Sequence, residues 1–227
     1  MAKKLYDCIV VGGGAAGMMS AITAARNNMQ VLLIEGTSRL GNKILQTGNG
    51  KCNFTNYNMD ADMYNNDNHE FISSALKMFN QYDAVDFFKS VGVFHRERNG
   101  YVYPHSETAA SLREALVHEL DNKGVDVITD VSVHSIRKDD GVFVVNDRYK
   151  AVKLIITAGS KAAPKTGSDG SGYQLALSLG HSIIKPLPSL VQLISDNKYC
   201  KQMAGVRSTG TINLYCDNSI YSDYGEI

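Results

Sequence analysis

The segment Asp7-Cys-Ile9-Val10-Val11-Gly12-Gly13-Gly14-Ala15-Ala16-Gly17-Met18-Met19, carried on to Val31-Leu-Leu-Ile34-Glu35, decides the fold. Ile9 to Val11 is a short β-branched apolar run, the composition of a strand buried on both faces. Gly12, Gly14 and Gly17 follow it in G-x-G-x-x-G spacing. From Ala15 to Asn28, Met18, Met19, Ile22 and Ala25 recur at helical intervals. Val31 to Ile34 is a second apolar strand, closed by Glu35. Strand, glycine turn, helix and strand together predict a dinucleotide-binding βαβ unit.

Each residue type has a physical task in such a unit. Gly12 permits the tight turn, Gly14 lets a diphosphate approach the backbone, and Gly17 lets the helix pack closely on the sheet. The phosphates then face the free N–H groups and the positive dipole end of the helix at Ala15 and Ala16. Glu35 stands where a carboxylate accepts hydrogen bonds from ribose hydroxyls and repels a 2′-phosphate. The pattern therefore fits FAD or NAD better than NADP.

Bulk composition narrows the class further. Lys and Arg number 23 against 23 Asp and Glu, so no global basic field points to nucleic acid as a partner. No apolar run reaches membrane-spanning length, and residues 1–11 lack the core of a signal peptide. Cys8, Cys52, Cys200 and Cys216 are scattered without a C-x-x-C pair. That spacing argues against a disulfide framework or a metal site and fits a reducing cytoplasm. At 227 residues the chain can form one sizeable domain, or one domain plus part of another.

The second informative stretch runs from Gly36 through Gly41, Lys43 and Thr47-Gly48-Asn49-Gly50-Lys51-Cys52-Asn53 to Asn56. It is polar, rich in Gly and Asn, and too irregular for a long helix or strand. It also leaves the strand that ends at Glu35, so it begins beside the nucleotide. Long loops in compact domains are commonly functional. Gly48 and Gly50 permit close backbone approach, while Lys43, Lys51, Asn49 and Asn53 supply donors.

Together, Gly12-Gly-Gly-Ala-Ala-Gly17, Glu35 and Lys43-Ile-Leu-Gln-Thr-Gly-Asn-Gly-Lys-Cys-Asn53 resemble the BaiN-like bacterial flavoproteins. That family is also described as NAD(P)/FAD-dependent oxidoreductases or aminoacetone oxidase family FAD-binding enzymes. Members commonly carry Gly-Gly-Gly-Arg-Cys-Asn where this chain has Gly48-Asn-Gly-Lys-Cys-Asn53; Lys51 keeps the charge and loses the guanidinium fork. The resemblance implies an α/β, Rossmann-like FAD-binding domain with a central parallel sheet over residues 1–187. The start of an inserted, mostly-β domain would occupy 188–227, with the C-terminal part of a typical member absent.

Further residues gain a role through that resemblance. Gly100-Tyr101-Val102-Tyr103-Pro104-His105-Ser106 stands where the family has Gly-Arg-x-Phe-Pro-x-Ser near the flavin. His105 is thereby a candidate proton donor, with an exposed loop histidine as the equally open alternative. Val133 would present its backbone to the adenine. Thr157-Ala158-Gly159 would let the chain approach the cofactor, and Pro164-Lys-Thr-Gly-Ser-Asp169-Gly170-Ser-Gly-Tyr173 matches another family motif. With Gly41 and Cys52, these complete the expected cofactor contacts.

Coarser readings fill the remainder. Residues 57–70 read as a loop. Helices are expected over His69–Phe79, burying Phe71, Leu76 and Phe79, and over Tyr82–Val91, burying Val85 and Phe88. Strands are expected at Val93–Arg96 and Tyr101–Tyr103, joined by a turn at Arg98-Asn99-Gly100. Ser106 reads as the N-cap of a helix over Thr108–Asn122, with Leu112, Leu116 and Leu120 on one face. Val125–Thr129 reads as a strand, Val131, Val133 and Ile136 alternate with polar residues, and a hairpin turns at Asn146-Asp147. A further apolar strand spans Leu154–Thr157, a helix runs to about Leu179, and His181–Ile184 and segments beyond Val191 read as strands.

If the family reading holds, FAD does the redox chemistry, with NAD(P)H as donor and a small organic molecule as substrate. Reduction of an enone such as a 3-oxo bile-acid intermediate and oxidation of a small aminoketone are both implied. Two alternatives stay open: a flavin-dependent RNA-modifying protein, which shares the Gly-Gly-Gly-x-Ala-Gly start, and a dinucleotide-binding module without catalysis.

Overall fold

The computed structural model describes residues 4–64, 68–188, 194–206 and 208–226. The chain divides into two compact units, Met1–Pro186 and Leu187–Ile227. Strands of the first unit are β1 (Leu5–Val11), β2 (Val31–Ile34), β3 (Thr55–Asn56), β4 (His95–Arg98), β5 (Tyr101–Pro104), β6 (Asp126–Ile128), β7 (Ile136–Asp139), β8 (Val142–Val145) and β9 (Tyr149–Ile156). Its helices are α1 (Ala15–Arg26), α2 (Asn42–Gln46), α3 (His69–Met78), α4 (Gln81–Ser90), α5 (Ala109–Asn122) and α6 (Ser171–Ser178). The second unit holds β10 (Thr209–Cys216) and β11 (Ser219–Glu226), an antiparallel hairpin.

The main sheet has the order β6-β2-β1-β9-β8-β7. Its first four strands are parallel, and β8 and β7 add an antiparallel edge. Successive side chains of β1 point to opposite faces. Cys8 and Val10 pack with Met18, Ile22, Leu33, Leu112, Leu116 and Leu120 under α1 and α5. Ile9 and Val11 pack with Leu32, Ile34, Ile136, Val145, Ala151 and Leu175 on the other side. Burial on both faces is why β1 and β2 carry unbroken apolar runs, and each fully buried Leu or Ile contributes roughly 1.5–3 kcal/mol. A small antiparallel sheet, β3-β5-β4, stands apart.

Several expectations are corrected. No residue of α3 is buried, and Phe71 and Phe79 are exposed. Spacing alone established a stripe on that helix but not what it meets. Ser106 does not cap α5: Thr108 holds the N-cap position without a side-chain bond, and the Ser106 hydroxyl pairs with Ser111 at 2.6 Å. The hairpin arm from Tyr149 and the apolar run at Leu154 are one continuous strand, β9. Residues 131–135 form a connection whose N–H groups at His134 and Ser135 donate to the Asn146 side chain. Residues 181–184 are not a strand. Residues 65–67 of the expected 57–70 loop, and Val191 and Leu193, lie outside the described residues.

Candidate dinucleotide-binding site

Strand order places β1 between β2 on one side and β9 on the other. This is the reversal point at which open α/β sheets bind ligands beyond their carboxyl ends. Three loops leave those ends and enclose a cavity of about 580 Å³, within the usual size of small-molecule sites.

The first loop is the glycine turn between β1 and α1. Gly12 has φ +100°, and a Cβ there would stand 2.6 Å from the Thr157 carbonyl oxygen. Gly14 is the N-cap of α1, in extended conformation and without a side-chain cap. A Cβ added to Gly14 meets nothing within 4 Å. The first-turn N–H groups of α1 have no intrahelical acceptor and lie at the cavity, where Gly14, Ala15 and Ala16 form its lining. No acidic side chain occupies that turn. The arrangement suits an anion such as a diphosphate.

Glu35 ends β2 and organises the second loop. Its Oε2 accepts from the Gly13 N–H at 2.6 Å, and its Oε1 accepts from the Thr37 N–H at 2.8 Å and the Thr37 hydroxyl at 2.7 Å. A carboxylate has about four acceptor positions, so it retains capacity for a ribose hydroxyl. The ligand would thus meet a side chain already locked in place by its own neighbours. The Gly41 N–H donates to the Gly13 carbonyl at 2.9 Å, tying the second loop to the first. The Arg113 Nε donates to the Leu40 carbonyl at 2.8 Å, tying that loop to α5.

The third loop follows β9. Thr157 donates its N–H to Val11 O at 2.7 Å and shares its hydroxyl between Val11 O and Gly12 O, both at 2.9 Å. It therefore braces the turn the phosphates would cross. Ser168 and Thr166 are buried, and the Ser168 hydroxyl donates to Ser160 O at 2.5 Å. A Cβ on Gly167 would come within 3.0 Å of the Thr37 methyl, so this loop closes against the second one.

Beyond these polar walls the cavity becomes apolar, lined by Met19, Ile44, Phe54, Phe87, Phe88, Leu112 and Leu116. Phe88 packs edge-on against Phe54 at 4.9 Å and against Phe87 at 5.4 Å between ring centroids. Cys52 lines the same end and is buried, which pushes its thiol above the ordinary range despite a bond with the Thr47 side chain. Chemically, the site can hold a molecule with one anionic, hydroxyl-rich end and one flat apolar end.

Of the residues read from sequence, Gly12, Gly14, Ala15, Ala16, Glu35, Gly41, Lys43, Cys52, Asn53, Thr157, Ala158 and Gly159 line this cavity. Gly17 does not; it lies behind the turn, where a Cβ would overlap the Gly12 carbonyl oxygen. Gly48, Asn49, Gly50 and Lys51 are exposed and lie outside the lining, on a short turn with left-handed backbone at the first three. Val133 is outside the lining, and its side chain packs against the far-face core. Asp169 and Gly170 sit at the start of α6. There the Asp169 carboxylate accepts from the Ser171 N–H at 2.9 Å, a bond that holds its pKa below the usual range. His105 is exposed and not in the lining: buried Pro104 ends β5, and the His105 N–H closes the ladder on Phe94 O.

Sequence reading missed Gly13, Thr37, Arg39, Thr166, Gly167, Ser168 and the Phe54–Phe87–Phe88 wall. Thr166 to Ser168 lay inside a quoted motif. Helical spacing marked Phe88 only as a core position, because the tertiary fold alone brings α4 to β3 and its phenylalanines to the cavity.

Comparison with known proteins agrees with this geometry. Residues 6–216 match the family described as HI0933-like protein Rossmann domain. The chain is 39% identical over 224 residues to a 3-dehydro-bile acid delta(4,6)-reductase of Clostridium scindens, covering 96% of this chain and 55% of that protein. It is 30% identical over 230 residues to a ribosomal RNA dihydrouridine synthase of Haemophilus influenzae, covering 97% and 57%. The chain thus spans about half the length of these curated relatives. Among solved structures, the 3-ketosteroid-delta4-(5alpha)-dehydrogenase of Rhodococcus jostii RHA1 superposes with a TM-score of 0.57 at 16% identity, over 78% of this chain and 54% of that one. That likeness speaks to fold alone.

Proposed function

Because the chain belongs to the HI0933-like Rossmann-domain family, we propose that it binds FAD and serves a flavin-dependent oxidoreductase. The substrate class is a carbon–carbon double bond conjugated to a carbonyl, with NAD(P)H as electron donor. The observation that carries the flavin assignment is the cavity at the β2/β1/β9 reversal. It combines an uncapped helix N-terminus, a pre-set Glu35 and an apolar far end. The assignment to reduction is supported by the bile-acid reductase among the relatives.

Bound there, FAD would supply two-electron transfer. The chain's own residues have simpler tasks. The N–H groups of Ala15 and Ala16 bind the diphosphate and Glu35 orients the adenosine ribose. Thr157 holds the glycine turn in shape, and Ala158 and Gly159 keep the backbone low enough for close approach. Ile44, Phe54, Phe87 and Phe88 exclude water from the apolar end, which strengthens every polar contact inside.

An absorption spectrum of the full-length protein, purified without added cofactor, tests this reading. A flavin spectrum that bleaches anaerobically with NADH or NADPH is expected, with FAD as the flavin released on denaturation. A colourless protein that FAD cannot reconstitute overturns the assignment. The relative named for ribosomal RNA favours a second reading, in which the reduced double bond belongs to a nucleobase. Balanced charge argues against it, and retention on heparin at low salt would argue for it.

A further inference from the structure

The flavin reading requires groups that neutralise two phosphates, and one such group stands where no glycine motif announces it. Three residues lining the cavity carry formal charge: Glu35, Arg39 and Lys43. The Glu35 carboxylate is held by the Gly13 and Thr37 donors, not by a cation. Neither Arg39 nor Lys43 forms an ion pair among the described residues. The lining therefore carries two cations without an ion-pair partner among the described residues against one committed anion.

Arg39 is also placed with unusual firmness for a residue on an exposed loop. Its carbonyl, at 3.0 Å, shares the single Thr37 hydroxyl proton with the Glu35 carboxylate. The next residue, Leu40, is buried, and its carbonyl accepts from Arg113. Gly41 then donates to Gly13 O. The backbone of Arg39 is fixed beside the glycine turn, and the residue is exposed while lining the cavity. It shares this loop with Glu35 and Thr37, whereas Thr47 and Cys52 line the cavity from the following segment.

We propose that Arg39 is a binding residue for the adenosine-diphosphate half of the ligand, closing on its phosphates opposite the N-terminus of α1. A guanidinium suits that task because its planar fork matches phosphate oxygens in pairs. The proposal rests on the FAD reading and adds to it the residue that distinguishes an adenine dinucleotide from a flavin mononucleotide.

The test is calorimetric titration of FAD, ADP and FMN into the flavin-stripped full-length protein, comparing wild type with Arg39→Gln, Arg39→Lys and, as a cation removed elsewhere, Lys150→Gln. Arg39→Gln is expected to weaken FAD and ADP alike by about tenfold at low salt. Binding of FMN, which carries one of the two phosphates and no adenosine, should weaken less, Lys150→Gln should match wild type, and Arg39→Lys should recover part of the loss. The deficit should shrink as salt rises, since the lost contact is ionic. Unchanged ADP binding in Arg39→Gln overturns the assignment while leaving the flavin reading intact. Equal loss for ADP and FMN also overturns it, reducing Arg39 to a general attractor of anions. A wild-type protein that binds neither FAD nor ADP overturns the flavin reading, and this inference with it.

Discussion

Gly14 and Gly17, three residues apart, answer to different physical demands. A methyl on Gly14 enters open space above the turn, and the extended backbone there suits any residue. Gly14→Ala should therefore fold and melt like wild type, while its methyl intrudes where the diphosphate would pass. FAD affinity should fall by about tenfold or more. A methyl on Gly17 collides with the Gly12 carbonyl and comes within 2.7 Å of the Thr157 hydroxyl, so α1 must lift off the sheet. Gly17→Ala should lose about 1–3 kcal/mol of stability as well as ligand binding. Thermal melts alongside FAD titration separate the two cases, and equal melting temperatures for both variants would sink the distinction.

The cysteines offer a pH-dependent readout at the same scale. Cys200 and Cys216 are exposed, whereas Cys8 and Cys52 are buried and their thiols are pushed up by that burial. Since the thiolate is the nucleophile, native alkylation at pH 8 should mark the first pair quickly and the second pair slowly. Raising the pH through the ordinary thiol range should keep accelerating the buried pair, because their raised pKa leaves the thiolate fraction still climbing there. Denaturation should equalise all four. FAD should slow Cys52 further without affecting Cys8, because Cys52 lines the cavity and Cys8 does not. Peptide mapping after timed alkylation measures each site.

At the scale of elements, the site depends on bonds between segments far apart in sequence. Thr157, at the end of β9, satisfies carbonyls of β1 and the glycine turn. Thr157→Val keeps the shape and removes the hydroxyl, so it should cost about 1 kcal/mol in stability and weaken FAD binding through the loosened turn. An unchanged denaturation midpoint and unchanged affinity would show that the turn holds itself. This scale also explains what sequence could and could not disclose. The β1-α1-β2 unit was legible because each of its residues obeys a local rule: β-branched runs, glycine spacing, helical period. The Leu112, Leu116 and Leu120 stripe was legible for the same reason, and all three residues are buried. Arg39 and Thr37 were not, because an isolated loop residue carries no period and is defined only by which loop it faces. The same applies to α3, whose apolar stripe reads as buried and is not.

At the scale of the whole molecule, every residue lining the cavity belongs to the unit that ends at Pro186. The unit from Leu187 has a different physical character. Its hairpin leaves Ile212, Leu214, Tyr215, Ile220, Tyr221 and Tyr224 at least half exposed, and none of its described residues is buried. A two-stranded hairpin without a hydrophobic face to cover is marginal in water. Its opening should therefore be governed by local rather than global stability. Limited proteolysis of the 227-residue chain should cut first beyond Pro186, and the product should melt at the temperature of the intact chain. If the proposed function holds, that product should also keep its affinity for FAD, because no lining residue has been removed. A fall in melting temperature on trimming would mean that the first unit draws stability from the hairpin. Loss of FAD with an unchanged melt would place a cofactor contact beyond Pro186. Either result would move the boundary of the binding unit toward Ile227.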